Sequence, residues 1–238
     1  MLFCGDLCVI ICIFQCCKEN KIQYQSEMET SLSIAEKMYL FSVNPEKGGI
    51  VSAAYNTLVP VLTGAVLFDL IAAKKLTIDG KRIILNDKKG QNPLQDFVLE
   101  KIAAASKPRT VQRWLHSFSW SKKKIKAFVK ESLKQKRLIR IEQRQFLFFR
   151  WDKVFLTDRI KVTGYISDIE NQITGSSKMP VDDGLLSLLI PAELLKRMFP
   201  DREKRKNIKS KLKQMQLENV VSKAVADVIR MNRAAAVS

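Results

Sequence analysis

Cysteine is missing from almost the whole of this 238-residue sequence. All five cysteines lie at or before Cys17, so the chain beyond that position contains none. A folded body without cysteine cannot form disulfide bonds, which is typical of proteins from the reducing cytosol. No histidine or second cysteine pair follows the early cysteines at the spacing of zinc ligands, so we predict no metal site.

Histidine is as scarce, since His116 is the only one. A histidine-based metal site or a Ser-His-Asp triad would depend on it alone, and its place within a predicted helix favours a structural or exposed side chain. The glycine-rich loops of nucleotide-binding enzymes are also missing, because Gly48 and Gly49 stand alone. Asp182 and Asp183 lie where a helix is predicted to begin, and capping explains such a carboxylate pair. We therefore predict no catalytic residue, no cofactor and no enzymatic activity.

Long hydrophobic runs are lacking as well. Residues 2–17 are mostly apolar but are interrupted by Asp6, and a membrane-spanning helix needs about 20 apolar residues. The run also lacks the positive start of a secretory signal. Four of its cysteines, spaced i, i+4, would share one helical face, as acylated cysteines of an anchor would. For residues 1–27 two interpretations stay open: a membrane anchor, or a non-native extension ahead of a translation start at Met28.

Positive charge is what the sequence has in excess. Lys and Arg number 41 against 24 Asp and Glu, which gives a formal net charge of +17 at pH 7. Such a surplus draws a protein to polyanions such as nucleic acid, phospholipid headgroups or acidic proteins. Hydrophobic residues make up 46% of the chain, which is enough to bury a core. We therefore expect residues 28–238 to form one folded domain.

Helical periodicity dominates this domain and predicts a mainly α fold, a helical bundle. Ser33 and Glu36 form a capping box at the start of an amphipathic helix. Residues 52–74 are apolar almost all round, which is typical of a helix at the centre of a bundle, and Pro60 predicts a kink or break there. A long, kinked helix is expected over residues 182–195. Further helices are predicted over residues 93–104, 108–118, 121–136 and 208–225.

Two β-hairpins accompany the predicted bundle. Residues 76–85 alternate around an Asp-Gly pair, which is a strong hairpin signal. Residues 138–149 indicate a second hairpin that turns near residues 142–144. Residues 164–180 contain glycine and serine and are typical of a linker. Pro200 and the charged run at residues 201–206 predict a further break between helices.

Cations and aromatic side chains lie close together in the sequence around the second hairpin. Basic residues gather on the predicted helix 121–136 and on the hairpin, which also carries Phe146, Phe148 and Phe149. Each Lys or Arg near an acidic leaflet contributes about 1 kcal/mol, and inserted aromatic side chains bury apolar area, so this pattern suits a peripheral membrane protein. Strand alternation would equally place Phe146 and Phe148 in the core. A further basic stretch lies at residues 196–213.

The same residues also fit a winged-helix nucleic-acid binder. Residues 121–136 would then be the recognition helix and residues 138–155 the wing, with the basic side chains contacting phosphates. A third interpretation is a cytosolic adaptor that binds acidic protein tails and touches no lipid. Composition and periodicity leave these three classes open.

Five stretches carry a family resemblance, and they are residues 32–40, 64–70, 110–115, 142–149 and 183–189. In this order and spacing they resemble the Golgi phosphoprotein 3 family. Members of that family are all-α bundles with a projecting β-hairpin, and eukaryotic members bind phosphatidylinositol 4-phosphate and retain glycosyltransferases through their cytosolic tails. The resemblance implies a cytoplasmic protein that is peripheral on the cytosolic face of a membrane. Its implied partners are anionic lipids and the tails of membrane proteins.

The resemblance also implies a lipid site. The family's lipid pocket uses a Trp, an Arg ahead of a glycine, and two Arg on the helix before the hairpin. Here the Trp position falls at Ala54, next to Tyr55. The first Arg position falls at Thr63, and the two helix positions fall at Lys123 and Lys126. Two cations are thus kept as lysines, which lack the bidentate fork of Arg.

The membrane-inserting hairpin of the family maps onto Phe146, Leu147, Phe148 and Phe149. The changes at the pocket positions suggest a divergent, bacterial member of the family. Bacteria generally lack phosphatidylinositol 4-phosphate, so the native ligand stays open between this lipid, which the resemblance implies, and another acidic lipid. The resemblance therefore predicts binding to anionic phospholipids in general, with less strict reading of the headgroup.

Overall fold

The computed structural model describes residues 32–175 and 182–237. The chain divides into two units, and nearly all described residues belong to the second, Ser33–Ser238. The predicted anchor or extension at residues 1–27 lies outside the described residues. In chain order the second unit contains α1 (Ile34–Ser42), a 3₁₀ helix (Ser52–Ala54), α2 (Leu58–Ala72), β1 (Leu76–Asp79), β2 (Arg82–Leu85), α3 (Pro93–Ala103), α4 (Val111–Ser119), α5 (Lys122–Gln135), β3 (Ile139–Phe146), β4 (Phe149–Leu156), α6 (Arg159–Thr174), α7 (Asp183–Leu188), α8 (Leu195–Met198), α9 (Arg202–Glu218) and α10 (Val220–Val237).

The predicted class is confirmed, because helices dominate and the strands form two separate antiparallel hairpins. The apolar helix α2 lies at the centre and packs against α1, α4, α7 and α10. It begins at Leu58, so the helix predicted over residues 52–74 is shorter than expected. Pro60 lies in its first turn, where a missing backbone N–H removes no helical hydrogen bond. The break therefore falls ahead of Pro60, and the helix continues past it.

The start of α1 forms the predicted capping box and ties two helices together. The Ser33 hydroxyl accepts a hydrogen bond from the Glu36 N–H, and the Glu36 carboxylate accepts one from the Ser33 N–H at 2.8 Å. The same carboxylate accepts a 2.6 Å hydrogen bond from the Ser132 hydroxyl and pairs with the Lys136 ammonium at 2.8 Å. Because Glu36 is buried, these contacts fasten the start of α1 to the end of α5.

The first hairpin forms where the sequence predicts it. Leu76 pairs with Leu85, and the strands turn through Gly80, whose φ of 57° is a conformation that glycine adopts without strain. The Ile83 N–H donates a 2.9 Å hydrogen bond to the Arg109 carbonyl. This bond attaches the hairpin to the segment that opens α4.

The second hairpin is longer than predicted, and the turn expected near residues 142–144 is wrong. Phe146 pairs with Phe149, so the turn is formed by Leu147 and Phe148. The register follows from the base of the hairpin, where Ile139 and its partner Leu156 are both buried. Since residues two apart on a strand share a face, burial at the base fixes the pairing of the whole ladder.

The C-terminal part departs most from the sequence prediction. The linker predicted over residues 164–180 is wrong over its first half, because α6 continues to Thr174 and ends at Gly175, whose φ is 86°. The rest of that stretch lies mainly outside the described residues. The predicted break is present at residues 199–201, between α8 and α9. Most of the charged run, however, forms the first turns of α9, capped by Asp201, which accepts from the Lys204 N–H at 2.7 Å.

The long helix predicted over residues 182–195 is also wrong. Asp182 caps a short helix, α7, that ends at Leu188, and a turn separates α7 from α8. Glu193 in that turn has a φ of 60°, which a continuous helix does not allow. The last helix predicted over residues 208–225 is likewise two helices, α9 and α10.

Candidate functional site

The second hairpin packs its buried side chains against the body at its base. Ile139, Val154 and Leu156 are buried there, and the Gly49 N–H donates a 2.6 Å hydrogen bond to the Val154 carbonyl. All residues from 143 to 152 are exposed, so both faces of the outer half of the hairpin are open to solvent. The outer half therefore projects from the bundle.

Large apolar side chains occupy the projecting end. Phe148 is 96% exposed, and even Trp151, the least exposed of the group, is 49% exposed. Leu147 has a φ of 52° at a turn position that normally takes glycine or asparagine. The stability of the turn therefore does not explain why the tip residues are large and apolar. The tip residues are Phe146, Leu147, Phe148 and Phe149, with Trp151 two residues further on.

One face of the hairpin carries most of this apolar surface. Phe146 lies directly across from Phe149, and Arg144 lies across from Trp151. Directly paired residues point to the same side of a sheet. The three aromatic side chains therefore form a stripe that continues the apolar tip.

Helix α5 presents lysines on the side that faces the hairpin. Lys123, Lys126 and Lys130 are spaced i, i+3, i+7 and share one helical face. The Lys130 ammonium pairs with the Asp152 carboxylate on β4 at 3.1 Å. Lys124 points elsewhere, because its ammonium lies 4.3 Å from the centre of the Phe97 ring on α3.

Lys123 and Lys126 are placed where an anion could reach them. Lys123 is exposed and Lys126 is half-buried. Partial burial lowers the pKa of Lys126, and the neighbouring charges of Lys122 and Lys130 lower it further. Within residues 32–175 and 182–237, no carboxylate forms an ion pair with either Lys123 or Lys126. The positive charge of Lys123 and Lys126 is therefore not neutralised by an ion pair within the described residues.

The hairpin folds back beside α5. The two elements meet where the Thr157 N–H donates a 3.0 Å hydrogen bond to the Leu138 carbonyl. Lys130 lies within α5 and Asp152 within β4, both several residues from this junction. Their charged groups are nevertheless 3.1 Å apart. If α5 and the hairpin diverged at a right angle, the side chains of Lys130 and Asp152 would be too short to meet. The angle between α5 and the hairpin is therefore acute. The apolar tip therefore lies towards the N-terminal end of α5.

Tyr55 and Thr63 lie differently from the lysines. Tyr55 is exposed directly after the 3₁₀ helix, while the neighbouring Ala54 is buried. Thr63 is 1% exposed, and its hydroxyl donates a 3.0 Å hydrogen bond to the Val59 carbonyl within α2. Among the described side chains, no hydrogen bond joins Tyr55 to Lys123 or Lys126. Thr63 has no access to a headgroup in this conformation.

The third basic stretch is partly engaged in holding helices together. The Lys204 ammonium pairs with the Glu170 carboxylate, and the Lys211 ammonium donates a 2.9 Å hydrogen bond to the Ile173 carbonyl. Both contacts fasten α9 to α6. Arg197 likewise donates to the Val43 carbonyl at 2.7 Å. These cations serve the fold, which the sequence pattern does not reveal.

Trp120 was not singled out by sequence reasoning. It lies between α4 and α5, immediately before the lysine run, and is 84% exposed. Its exposure could have been predicted from its position relative to the apolar stripe of α4. Trp114 and Phe118 fit the helical spacing of that stripe, and Trp120 does not. His116, the only histidine, is exposed on α4.

Clusters of metal-binding side chains and membrane-spanning helices are both absent from the described part of the chain. Residues 32–175 and 182–237 contain no group of three or more His, Cys, Asp or Glu side chains that could hold a metal ion. Of the helices in the same residues, none combines the length and apolar character needed to cross a membrane.

The chain matches one known protein family over nearly the whole folded domain. The family model for Golgi phosphoprotein 3 matches residues 34–231. A search of curated proteins found no match. The matched region begins with α1 and ends within α10, so it includes α5 and the projecting hairpin. It confirms the resemblance carried by the five sequence stretches.

Proposed function

Because the chain belongs to the Golgi phosphoprotein 3 family, we propose that it is a peripheral membrane protein that binds anionic phospholipid headgroups on the cytosolic face. Family membership indicates a Golgi-associated, phosphatidylinositol 4-phosphate-binding role at the level of the family. The function proposed for this chain is binding rather than catalysis. Cytosolic tails of membrane proteins are its proposed second partners.

The exposed hairpin tip is the observation that carries the proposal. Contiguous apolar patches on a soluble surface usually mark an interaction site. Insertion of Phe146, Leu147, Phe148 and Phe149 below the headgroups would remove their apolar area from water, at about 25 cal/mol per Å². The tip contains no charged residue that would oppose insertion.

The lysines of α5 supply the electrostatic part of the proposed binding. Lys123 and Lys126 lie on the hairpin side of α5, and the tip folds back towards the same end of that helix. Each cation near an acidic leaflet contributes about 1 kcal/mol. The half-buried Lys126, which lies among other lysines, would regain a favourable environment when a phosphate group approaches it.

The pocket positions favour a broad preference among acidic lipids. A lysine ammonium is a point charge and cannot make the paired hydrogen bonds of a guanidinium. Thr63 is buried, and Tyr55 rather than a tryptophan is the exposed aromatic side chain beside Ala54. We propose that phosphatidylinositol 4-phosphate binds through its charge, and that phosphatidylglycerol at equal surface charge binds comparably.

Nucleic-acid binding by a winged-helix-like surface is the alternative. A wing contacts phosphates through cations, whereas this hairpin ends in four consecutive apolar residues. That composition favours the membrane, and duplex DNA therefore serves as a competitor in the test.

Flotation of the full chain with vesicles tests the proposal. Three compositions are compared: neutral phosphatidylcholine, phosphatidylcholine with phosphatidylglycerol, and phosphatidylcholine with phosphatidylinositol 4-phosphate at matched charge. We expect flotation with both acidic vesicles that resists added duplex DNA. In Lys123→Glu with Lys126→Glu, binding should fall roughly tenfold or more, because two attractive charges become repulsive. Thermal stability should not fall, since neither lysine forms an ion pair within the described residues.

A matched charge reversal on α9 provides the control. Lys206 and Lys209 are exposed and have the same i, i+3 spacing, so Lys206→Glu with Lys209→Glu changes the net charge equally. This control should retain most of the binding. Equal losses in both double variants would assign binding to net charge alone and would remove the α5 site. Tight DNA binding without flotation would favour the winged-helix alternative.

A further inference from the structure

Trp120 is an exposed tryptophan at a position where the fold makes no use of it. It follows the last turn of α4, and its side chain is 84% exposed. Tryptophan is highly buried on average, and in membrane proteins it is enriched at the level of the headgroups, where one part of the ring is wet and the other apolar. No hydrogen bond or ring contact engages the Trp120 indole among the described residues.

Positive charge surrounds this tryptophan. Lys122, Lys123 and Lys124 follow it within four residues, and the first turn of α5 contains no acidic residue. A helix is stabilised by acidic rather than basic residues in its first turn. The lysines therefore lower the stability of the helix while giving the Trp120 turn an affinity for an anionic surface.

The turn lies on the same side of the Lys130–Asp152 ion pair as the hairpin tip. Lys130 and Asp152 meet across the gap between α5 and β4 at 3.1 Å. From Lys130, Trp120 is about 15 Å away along α5 at the helical rise per residue. From Asp152, Phe148 is about 13 Å away along β4 at the rise of a strand. Both apolar points therefore lie beyond this ion pair, away from the junction between α5 and the hairpin.

We propose that the turn containing Trp120 is a second membrane-contact point, at which the indole enters the headgroup layer of an acidic bilayer beside the hairpin tip. This inference rests on the proposed function. Lys122 and Lys123 lie beside Trp120 and contact lipid phosphates while the indole covers apolar area. Two contacts, at Trp120 and at the tip, fix the orientation of α5 towards the bilayer, which a single inserted hairpin would leave free to rotate.

Fluorescence of Trp120 in the full chain tests the proposal directly. The protein contains Trp114, which is 2% exposed, and the exposed Trp120 and Trp151. In Trp151→Phe, binding to phosphatidylcholine vesicles with phosphatidylglycerol should shift the Trp120 emission to the blue, and brominated acyl chains should quench it. The double variant Trp120→Phe with Trp151→Phe supplies the constant signal of Trp114. An emission maximum that does not move on binding, without bromine quenching, would overturn the proposal.

Substitutions measure the contribution to binding. Trp120→Ser should weaken flotation roughly fivefold, and Trp120→Phe should retain most of it, because an aromatic ring still partitions into the interface. Ile160→Ser is the matched control: Ile160 is equally exposed but lies after the base of the hairpin, away from the tip. It should bind as the unmodified protein does.

A substitution in the hairpin tip distinguishes failure of the second contact from failure of the proposed function. Phe148→Ser should weaken flotation whether or not Trp120 touches the bilayer. If Phe148→Ser loses binding while Trp120→Ser behaves like Ile160→Ser, the second contact is refuted and the proposed function stands. If the unmodified chain does not bind acidic vesicles at all, both proposals are refuted together.

Discussion

Asp69 on α2 occupies an unusual place for a carboxylate. Its side chain accepts a 3.2 Å hydrogen bond from the Ile34 N–H at the start of α1. Burial raises the pKa of Asp69 to about 7, against the lowering effect of that hydrogen bond, and the nearby carboxylates Asp182 and Glu36 raise it as well. The folded protein therefore binds a proton at Asp69 over a pH range in which the unfolded chain has released it.

This shift predicts a pH-dependent contribution to stability. The folded pKa of about 7 is above the ordinary value of 3.8, so the contribution is full below pH 3.8 and is lost as pH rises through 7. Asp69→Asn keeps an oxygen acceptor for the Ile34 N–H and cannot ionise. The unfolding free energy of the unmodified protein should fall relative to that of the variant between pH 4 and pH 8, as urea denaturation would measure. Parallel pH profiles of the two proteins would contradict the shift.

Single residues also show what the sequence could and could not predict at the candidate site. That Lys123 and Lys126 both lie outside the core follows from the helical periodicity of α5. The burial of Thr63 does not, because it depends on α7 and α10 packing around α2. Sequence alternation allowed Phe146 and Phe148 to face either the core or the solvent. The structure exposes both, because within residues 32–175 and 182–237 no other element covers the outer half of the hairpin.

At the scale of elements, Gly64 sets how closely α2 and α10 approach. A Cβ atom added at Gly64 would lie 2.6 Å from a methyl group of Val225 on α10. Val225 is fully buried and branched, so it has little room to move aside. The contact explains why a helix that is otherwise apolar all round contains a glycine at its centre.

Gly64→Ala should therefore lower the unfolding free energy by about 1–3 kcal/mol, the usual cost of overpacking a core. Gly164→Ala is the matched control, because Gly164 also lies within a helix, α6, and a Cβ atom there would meet nothing within 4 Å. There alanine should stabilise the protein by about 0.5–1 kcal/mol through helix propensity. Chemical denaturation of both variants measures the two changes, and a stabilised Gly64→Ala would show that α2 and α10 can separate without cost.

Helices and turns could be predicted where local sequence signals determine them, but not where tertiary contacts determine them. The capping box of Ser33 and Glu36 and the turn at Gly80 are local signals, and both formed as expected. The turn at Leu147 contains no residue typical of a turn, so the sequence placed it too early. Gly164 suggested a linker, yet α6 persists because Val162 and Ile169 bury one face of it.

At the scale of the whole molecule, net charge alone does not locate a binding surface. The chain has a formal charge of +17, but several cations serve the fold. Lys136 contacts Glu36, Lys204 contacts Glu170, and Lys211 contacts the Ile173 carbonyl. Composition predicts attraction to an anionic partner, whereas selecting α5 over α9 requires knowing which ammonium groups the fold already uses.

The proposed binding surface combines charge with apolar area, and salt should separate the two. Electrostatic attraction weakens as the Debye length falls from about 10 Å at 0.1 M salt to about 3 Å at 1 M, while apolar burial does not. Flotation with acidic vesicles should therefore decrease with salt in the unmodified protein and decrease less steeply in Lys123→Glu with Lys126→Glu. Phe148→Ser should bind more weakly at every salt concentration with an unchanged slope, because it removes area and no charge. A flattened slope in Phe148→Ser would mean that the tip acts by positioning the lysines rather than by entering the bilayer.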